Sequence, residues 1–315
     1  MHKLFFITLA FAFACQARAA TGEVAGADAK ATEIPAPAIT PEGGMFSSNL
    51  LVTITGSTKE VRYTVDGSVP GTNSILYTAP FVVSNCVFVK ARAFSSGIKP
   101  SDVTAESYVL VESNVTTFSS TVPLVAITTF GHVVKAGTNG TGIVRFVNGA
   151  TNQPALLLNT ADFDGQCLLK QRGYTSLRYA KRSFTLETLD EAGESLHFPI
   201  LGFPPDCDWV LYGPYPDKTL IRDVLAYELS NKLGHYASRT RFVELFVNES
   251  TNKMSVSNYA GLYVLEEKMK RGRDRIAVQK MKASDDTEPN ITGGYIFKKD
   301  HMEEAETKAG EVPPR

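Results

Sequence analysis

Between Trp209 and Asn248 the spacing of apolar residues changes period twice. Trp209-Val210-Leu211-Tyr212 is a short apolar and aromatic run, which predicts a buried strand. Gly213-Pro214-Tyr215-Pro216 ends it, because proline brings no N–H to a ladder. Leu220, Ile221, Val224, Leu225, Leu229 and Leu233 then recur at helical spacing and predict a helix with one buried stripe. Asp217 or Thr219 can cap its start, and Gly234 suits the left-handed residue after its last turn. Arg241 to Val247 alternates again as a strand and closes at Asn248. Strand, helix and strand in this order predict an α/β layer. Lys218 and Arg222 would stand at the helix mouth, where an anion is also welcome.

The pattern elsewhere is mostly of period two. From Ala38 to Val111, short alternating runs (Leu51–Ile54, Val61–Val65, Val87–Phe94) are separated by turn clusters at Asp66-Gly67-Ser68 and Ser95-Ser96-Gly97. That pitch predicts a small antiparallel β-sandwich. Glu112 to Pro123 is a Ser/Thr-rich connector. Strands are predicted from Leu124 onward, over Gly165–Arg172, Arg182–Thr188, Gly261–Lys268 and Ile291–Lys298. The basic run from Lys268 to Arg275 reads as a solvated hairpin before an anion site. Residues 301–315 hold little to bury and predict a flexible tail.

Composition changes this picture in three places. A chain of 315 residues predicts two domains, and a formal charge of -1 gives no reason to expect nucleic acid as a partner. Met1 to Ala20 has a positive start, an apolar run too short to cross a bilayer, and small residues at Ala17-Arg18-Ala19. It predicts a cleaved secretory signal, hence a secreted, extracellular or cell-surface protein without a transmembrane segment. Residues 21–37, rich in Ala, Gly, Glu and Pro, predict a linker without fixed structure. Beyond Cys15, the cysteines are Cys86, Cys167 and Cys207; a Cys167–Cys207 bridge is open to an exported protein, while three buried thiols are favoured.

Two sets of motifs carry resemblances. PEGGMFSS, VRYTVDGSVPGTNSILYTAPFVV and KARAFSSGIKPSDV, in that order within 38–111, resemble the immunoglobulin-like module at the C-terminus of chitobiases and β-hexosaminidases, also called fibronectin-III-associated. The resemblance implies an accessory module that binds a cell-wall glycan or acts as a spacer. KQRGYTSLRYAKRSFTLE, DWVLYGPYPDKTLIRDVLAYEL, RTRFVELFVN, GLYVLEEKMKRGRDRI and ITGGYIFK resemble the spore-coat CotH family over about 122–300. That resemblance implies an atypical kinase-like α+β fold. It also implies ATP and Mg²⁺ as cofactors and phosphoryl transfer to hydroxyls of a secreted or coat protein.

Phosphoryl transfer rests on holding the triphosphate and neutralising its charge. Gly173, Thr175 and Ser176 offer a flexible turn with backbone and hydroxyl donors. Lys181 would reach the phosphates as a point charge, and Glu267 could hold a lysine in place from a neighbouring strand. Lys268 and Arg222 are second-rank phosphate contacts. Tyr174 stands where the family often has Asn, and Arg182 where a second Lys often follows.

The resemblance places the family's catalytic base and metal-holding aspartates beyond the GGYI strand. The last aspartate here is Asp300 and the chain ends at Arg315. No catalytic residue or metal ligand is therefore assigned, and the kinase-like region is expected to be an N-terminal, incomplete part. Two functions compete: a CotH-type kinase, and a non-catalytic surface or coat scaffold with a carbohydrate-binding or spacer sandwich.

Overall fold

The computed structural model describes residues 33–56, 59–292 and 294–296. The secretory signal, residues 21–32 of the linker, Gly293, Phe297 and Lys298 of the last predicted strand, and the tail lie outside the described residues.

Residues 38–110 form the sandwich. Its strands are β1 (Ala38–Thr40), β2 (Gly44–Phe46), β3 (Leu50–Thr55), β4 (Glu60–Thr64), β5 (Ile75–Leu76), β6 (Phe81–Val83), β7 (Val87–Phe94) and β8 (Thr104–Leu110). One sheet runs β1-β3-β6 and the other β2-β8-β7-β4-β5. Alternation puts Val52, Ile54, Val61, Val89, Ala91, Ala93 and Tyr108 between them. Asp66 accepts from the amide and hydroxyl of Ser68, and Gly67 takes φ +79°, so the predicted turn cluster is a real turn. Ile34, expected in a loose linker, is buried in this core.

The connector is short helix α1 (Ser113–Thr116) and β9 (Ser119–Ser120). The second region then follows: β10 (Leu124–Thr128), β11 (Gly140–Val147), β12 (Ala155–Leu156), β13 (Phe163–Arg172), β14 (Ser183–Thr188), β15 (Asp208–Tyr212), α2 (Arg222–Lys232), β16 (Thr240–Asn248) and β17 (Tyr259–Glu267). Seven of these strands close a barrel in the order β10-β11-β13-β14-β15-β17-β16, with β10 and β16 parallel and the other pairs antiparallel. Closure follows from chain order. The β15-to-β16 connection through α2 leaves a gap beside β15 that β17 fills, and β16 meets β10 to seal the ring. The expected α/β layer is thus a β-barrel with one helix on its outside, and the α+β character rests on α2 alone.

Period-two alternation sorts the barrel. Val144, Phe146, Cys167, Leu169, Phe184, Leu186, Trp209, Leu211, Val243, Leu245, Tyr263 and Leu265 point inward into one core. Burying Trp209 completely bears out the central strand. Many outward side chains of β10, β11 and β16 are apolar as well. Leu124, Ala126, Ile143, Val147 and Phe246 pack with Cys86, Phe88, Val109, Val111 and Val115. Backbone hydrogen bonds Cys86 N to Thr251 O and Met254 N to Leu110 O, each 2.8 Å, lace this seam. The sandwich and the barrel therefore share a core, and the connector runs within it.

Two expectations need correction. In α2 the residues facing the barrel are Val224, Tyr227 and Asn231, whereas Ile221, Leu225, Leu229 and Leu233 face solvent, with Leu233 77% exposed. The leucine stripe is not core. The helix lies on a polar part of the barrel wall, where Tyr227 and Asp223 find partners and leucines would not. And Ile291, Thr292 and residues 294–296 are coil, so the described part of the last predicted strand does not form.

Candidate functional site

Outward residues of β13, β14, β15 and β17 include Lys170, Arg172, Thr185, Glu187, Asp208 and Glu266 among a few apolar ones, and carry more charge than those under the sandwich. Register pairs Leu168 with Glu187, Lys170 with Thr185 and Arg172 with Ser183, then Glu187 with Asp208 and Val210 with Glu266. Over this wall opens a cleft of about 630 Å³ whose lining includes Lys170, Arg172, Gly173, Glu187, Asp208 and Lys268. Lys268 donates to Asp208 Oδ1 at 3.0 Å. Lys170 and Arg172 are exposed and make no ion pair within 4.0 Å among the described residues. Two adjacent unpaired cations on one strand, facing a concave wall, make an anion-attracting surface.

Gly173 closes the end of that strand with φ +121°. A Cβ there would stand 2.0 Å from Ser176 Oγ. The dihedral calls for glycine, and a Cβ would also push the Ser176 hydroxyl aside. Thr175 and Ser176 begin a single 3₁₀ turn, Thr175–Arg178, held by Leu177 N to Tyr174 O and Tyr179 N to Ser176 O. This part of the predicted phosphate turn thus adjoins the cleft.

The other predicted residues lie apart. Lys181 Nζ donates to Leu262 O and sits 4.8 Å above the Tyr263 ring, across one end of the barrel. Burial lowers its pKa. Glu267 lies five residues further along β17, about 16 Å away at strand rise. It is buried and accepts from Arg239 Nε at 2.8 Å and Arg239 N at 3.1 Å, and Arg275 Nη1 lies 2.6 Å from its Oε1. The expected lysine–Glu267 pair is therefore not formed: two arginines saturate the carboxylate. Arg222 is at the start of α2, its Nε 3.4 Å from Asp217 Oδ1, and its amide donates to Asp217 Oδ2 at 2.9 Å. Asp217 also accepts from Thr219 N at 3.0 Å. The anion at that helix start is this carboxylate, which takes the first helical amide from outside the helix, while the N-cap position itself is Ile221 and neither Asp217 nor Thr219.

The run Lys268 to Arg275 is a turn solvated at Lys268, Met269, Arg271 and Arg273, but Lys270 and Arg275 turn inward onto carboxylates. Lys270 Nζ bridges Asp206 Oδ1 at 2.6 Å and Asp208 Oδ2 at 2.7 Å, and Arg275 Nη2 lies 2.9 Å from Asp206 Oδ2. With Glu267 and Arg239 these charges plug one end of the barrel. Burial opposes the ionised Asp206, but the Asp208 amide and the Lys270 ammonium outweigh it and hold the pKa low. Cys86, Cys167 and Cys207 are free and buried.

Sequence reasoning missed Lys170, Arg172 and Glu266. Glu266 is 8% exposed on the outer wall beneath α2. Burial pushes its carboxyl up to about 7, with Arg172 pulling down and Asp223 on α2 pushing up. Tyr212, hydrogen-bonded to Asp223, is raised to about 12, chiefly by burial. The available signal was the alternation in CLLKQR: with Cys167 and Leu169 inward, Lys170 and Arg172 must share the other face.

Among the described residues no helix is long and apolar enough to cross a membrane. The family model described as CotH kinase protein matches residues 169–313, and that described as Fn3 associated matches 52–108. No curated protein matches the chain. The first match begins inside β13, so the Gly173 hairpin, the polar wall, α2 and the charged plug all fall within it, while β10 and β11 precede it. Residues 169–313 therefore match the CotH family, and the match to an Fn3-associated module lies ahead of that region.

Proposed function

We propose that this protein binds a nucleoside triphosphate, ATP, in the polar cleft and transfers its terminal phosphoryl group to a protein hydroxyl. The supporting observation is the pair of unpaired cations, Lys170 and Arg172, next to the Cβ-free Gly173 turn. Phosphoryl transfer asks mainly for positioning and charge neutralisation. The Arg172 guanidinium can grip phosphate oxygens in bidentate fashion, and Lys170 adds a point charge. The Gly173–Ser176 turn lets backbone and the Thr175 hydroxyl approach the same oxygens. Magnesium suits this wall, since it binds through one or two carboxylates plus substrate phosphates, and Glu187 is available with the Ser195 hydroxyl as its hydrogen-bond partner at 2.5 Å. When bound, the ion neutralises charge on the phosphates. Glu266, beneath α2, keeps a carboxyl within the electrostatic field of Arg172. The base for the acceptor hydroxyl is not assigned. The acceptor we propose is a surface or coat protein met outside the cell, in keeping with the secretory signal read at Met1–Ala20.

The rival reading, a scaffold with a glycan-binding or spacer module, has less in its favour. Every aromatic side chain from Phe46 to Tyr108 is buried or half-buried, which leaves no stacking platform for sugars. A module that shares a core with its neighbour also does not act as a free spacer.

Calorimetry of the full chain with ATP and magnesium tests the proposal, followed by phosphate transfer from labelled ATP to hydroxyl-bearing protein. The doubly substituted Lys170→Ala/Arg172→Ala protein should bind about tenfold or more weakly, since each charge-assisted contact contributes about 1.5–3 kcal/mol. Lys181→Ala should bind as the parent does, its ammonium being committed to β17. Absence of heat in the parent, or undiminished binding in the double variant, overturns the proposal.

A further inference from the structure

We propose that His197, Cys207 and Asp208 bind a thiophilic divalent cation of the zinc class, at a site that meets the polar cleft at Asp208 and uses none of the residues assigned to the nucleotide. His197 and Cys207 lie on the loop from β14 to β15. Paired backbone hydrogen bonds between Phe198 and Asp206, at 3.2 and 3.4 Å, fold that loop back on itself. Thr188 N then donates to Cys207 O at 2.9 Å and anchors the fold-back to β14. The result sets His197 Nε2 3.6 Å from Cys207 Sγ, with Asp208 Oδ2 3.9 Å from the same sulfur.

The two separations at the sulfur are close to the edges of a coordination polyhedron, while the third, between His197 and Asp208, has to close as the cation enters. Zinc holds thiolate sulfur at about 2.3 Å and imidazole nitrogen at about 2.0 Å, so the S···N edge of a tetrahedral site is about 3.5 Å. The 3.6 Å observed here requires no rearrangement, and the 3.9 Å edge requires a small one. Two soft or borderline ligands with one carboxylate select zinc-like ions over magnesium or calcium, which prefer all-oxygen shells.

Asp206 clusters with His197 and Cys207, all three ligand atoms within 4.8 Å of one another. It is nevertheless the wrong carboxylate. Its Oδ1 already accepts from Cys207 N, Asp208 N and Lys270 Nζ, and its Oδ2 faces Arg275. Asp208 differs. Its Oδ2 accepts from Lys270, which keeps Asp206 if a cation takes that oxygen, and from the Cys207 S–H, whose proton leaves when the metal binds. Asp206 thus acts as the outer partner that holds the Cys207 amide in place. Binding replaces the S–H bond by a metal–sulfur bond and releases the proton to solvent. Three protein ligands leave a fourth position open on the exposed side of His197, where water or a substrate group can enter.

Cobalt(II) as a zinc surrogate reads this out on the full chain. One equivalent should produce a thiolate-to-metal charge-transfer band with tetrahedral ligand-field bands, and zinc should displace it. Cys207→Ser should abolish the charge-transfer band, and His197→Ala should weaken binding at least about tenfold. His197 is exposed, so its removal leaves the core untouched and keeps the test decisive even if Cys207→Ser fails to fold. No thiolate band in the parent, a band that survives Cys207→Ser, or unchanged affinity in His197→Ala overturns the site.

Discussion

The barrel has two outer faces that differ in chemistry and in fate. On β10, β11 and β16 the outward side chains Leu124, Ala126, Ile143, Val147 and Phe246 form an apolar patch that packs with Cys86, Phe88, Val109 and Val111 of the sandwich, with Arg145 and Glu244 at its margin. On β13, β14, β15 and β17 they are Lys170, Arg172, Glu187, Asp208 and Glu266, and a cleft and one helix occupy that wall. The inward residues are equally apolar around the ring. The barrel's inner alternation therefore fixes the fold, while its outer alternation decides what each sector does. An apolar sector becomes a domain seam; a polar one stays open for ligands. The accessory module also gains a structural role, since without it Leu124, Ala126 and Phe246 would face water.

The largest effect should come from the covered face. Phe88 is 3% exposed and packs against Phe130 at a centroid distance of 5.6 Å, across the seam. Phe88→Ala removes a ring from both partners and should cost about 3–5 kcal/mol. Urea unfolding followed by the single tryptophan, Trp209 in the barrel, should shift although the substitution is in the sandwich. An unmoved barrel transition would mean that the two regions fold independently.

The open face predicts a smaller, pH-dependent effect. The Glu266 carboxyl is pushed up to about 7 from an ordinary 4.5, mainly by burial. Below pH 4.5 it is protonated in folded and unfolded chains alike and contributes no difference. Between 4.5 and 7 the unfolded chain releases the proton first, so stability falls as pH rises. Above 7 the full cost applies, about 3 kcal/mol at most for that shift. Glu266→Gln should therefore stabilise the protein above pH 7 and flatten the slope between 4.5 and 7, as measured by thermal unfolding against pH. A slope unchanged by the substitution would place the charge in water.

How much of this could be read beforehand depends on what each signal reports. Alternation located β13 to β17 within a residue or two, because strand pairing and an apolar interior act on every second position. The carboxylate of Asp217 at the start of α2 and the left-handed Gly234, at φ +83°, were legible because they are local, although the N-cap position fell to Ile221. Barrel closure was not, since it is decided by which edges meet, and neither β10–β16 pairing nor the insertion of β17 beside β15 leaves a local mark. Site assignment failed for the same reason. Lys181 and Glu267 were linked by motif order, yet lie at different ends of β17. Lys170, Arg172 and Glu266 come together only through register.

The smallest effect should be on α2, and it sharpens the comparison most. Ile221, Leu225, Leu229 and Leu233 recur every four residues and look like a core-facing stripe, as convincing as any strand in the barrel. They face solvent because the wall beneath them is the polar one, and the helix docks through Tyr227, Asn231 and the Tyr212–Asp223 hydrogen bond instead. Leu229 is 52% exposed. Leu229→Ser removes little buried area and should change stability by no more than about 0.5 kcal/mol, against the several expected at Phe88. Comparing the two variants by chemical denaturation, with sedimentation to follow association, checks both numbers together. A cost above about 1.5 kcal/mol for Leu229→Ser, or a sedimentation coefficient that falls with it, would show that the stripe is covered in solution. The open face would then be a second seam, and the contrast between the two sides of the barrel would lie in their partners, not in whether they have one.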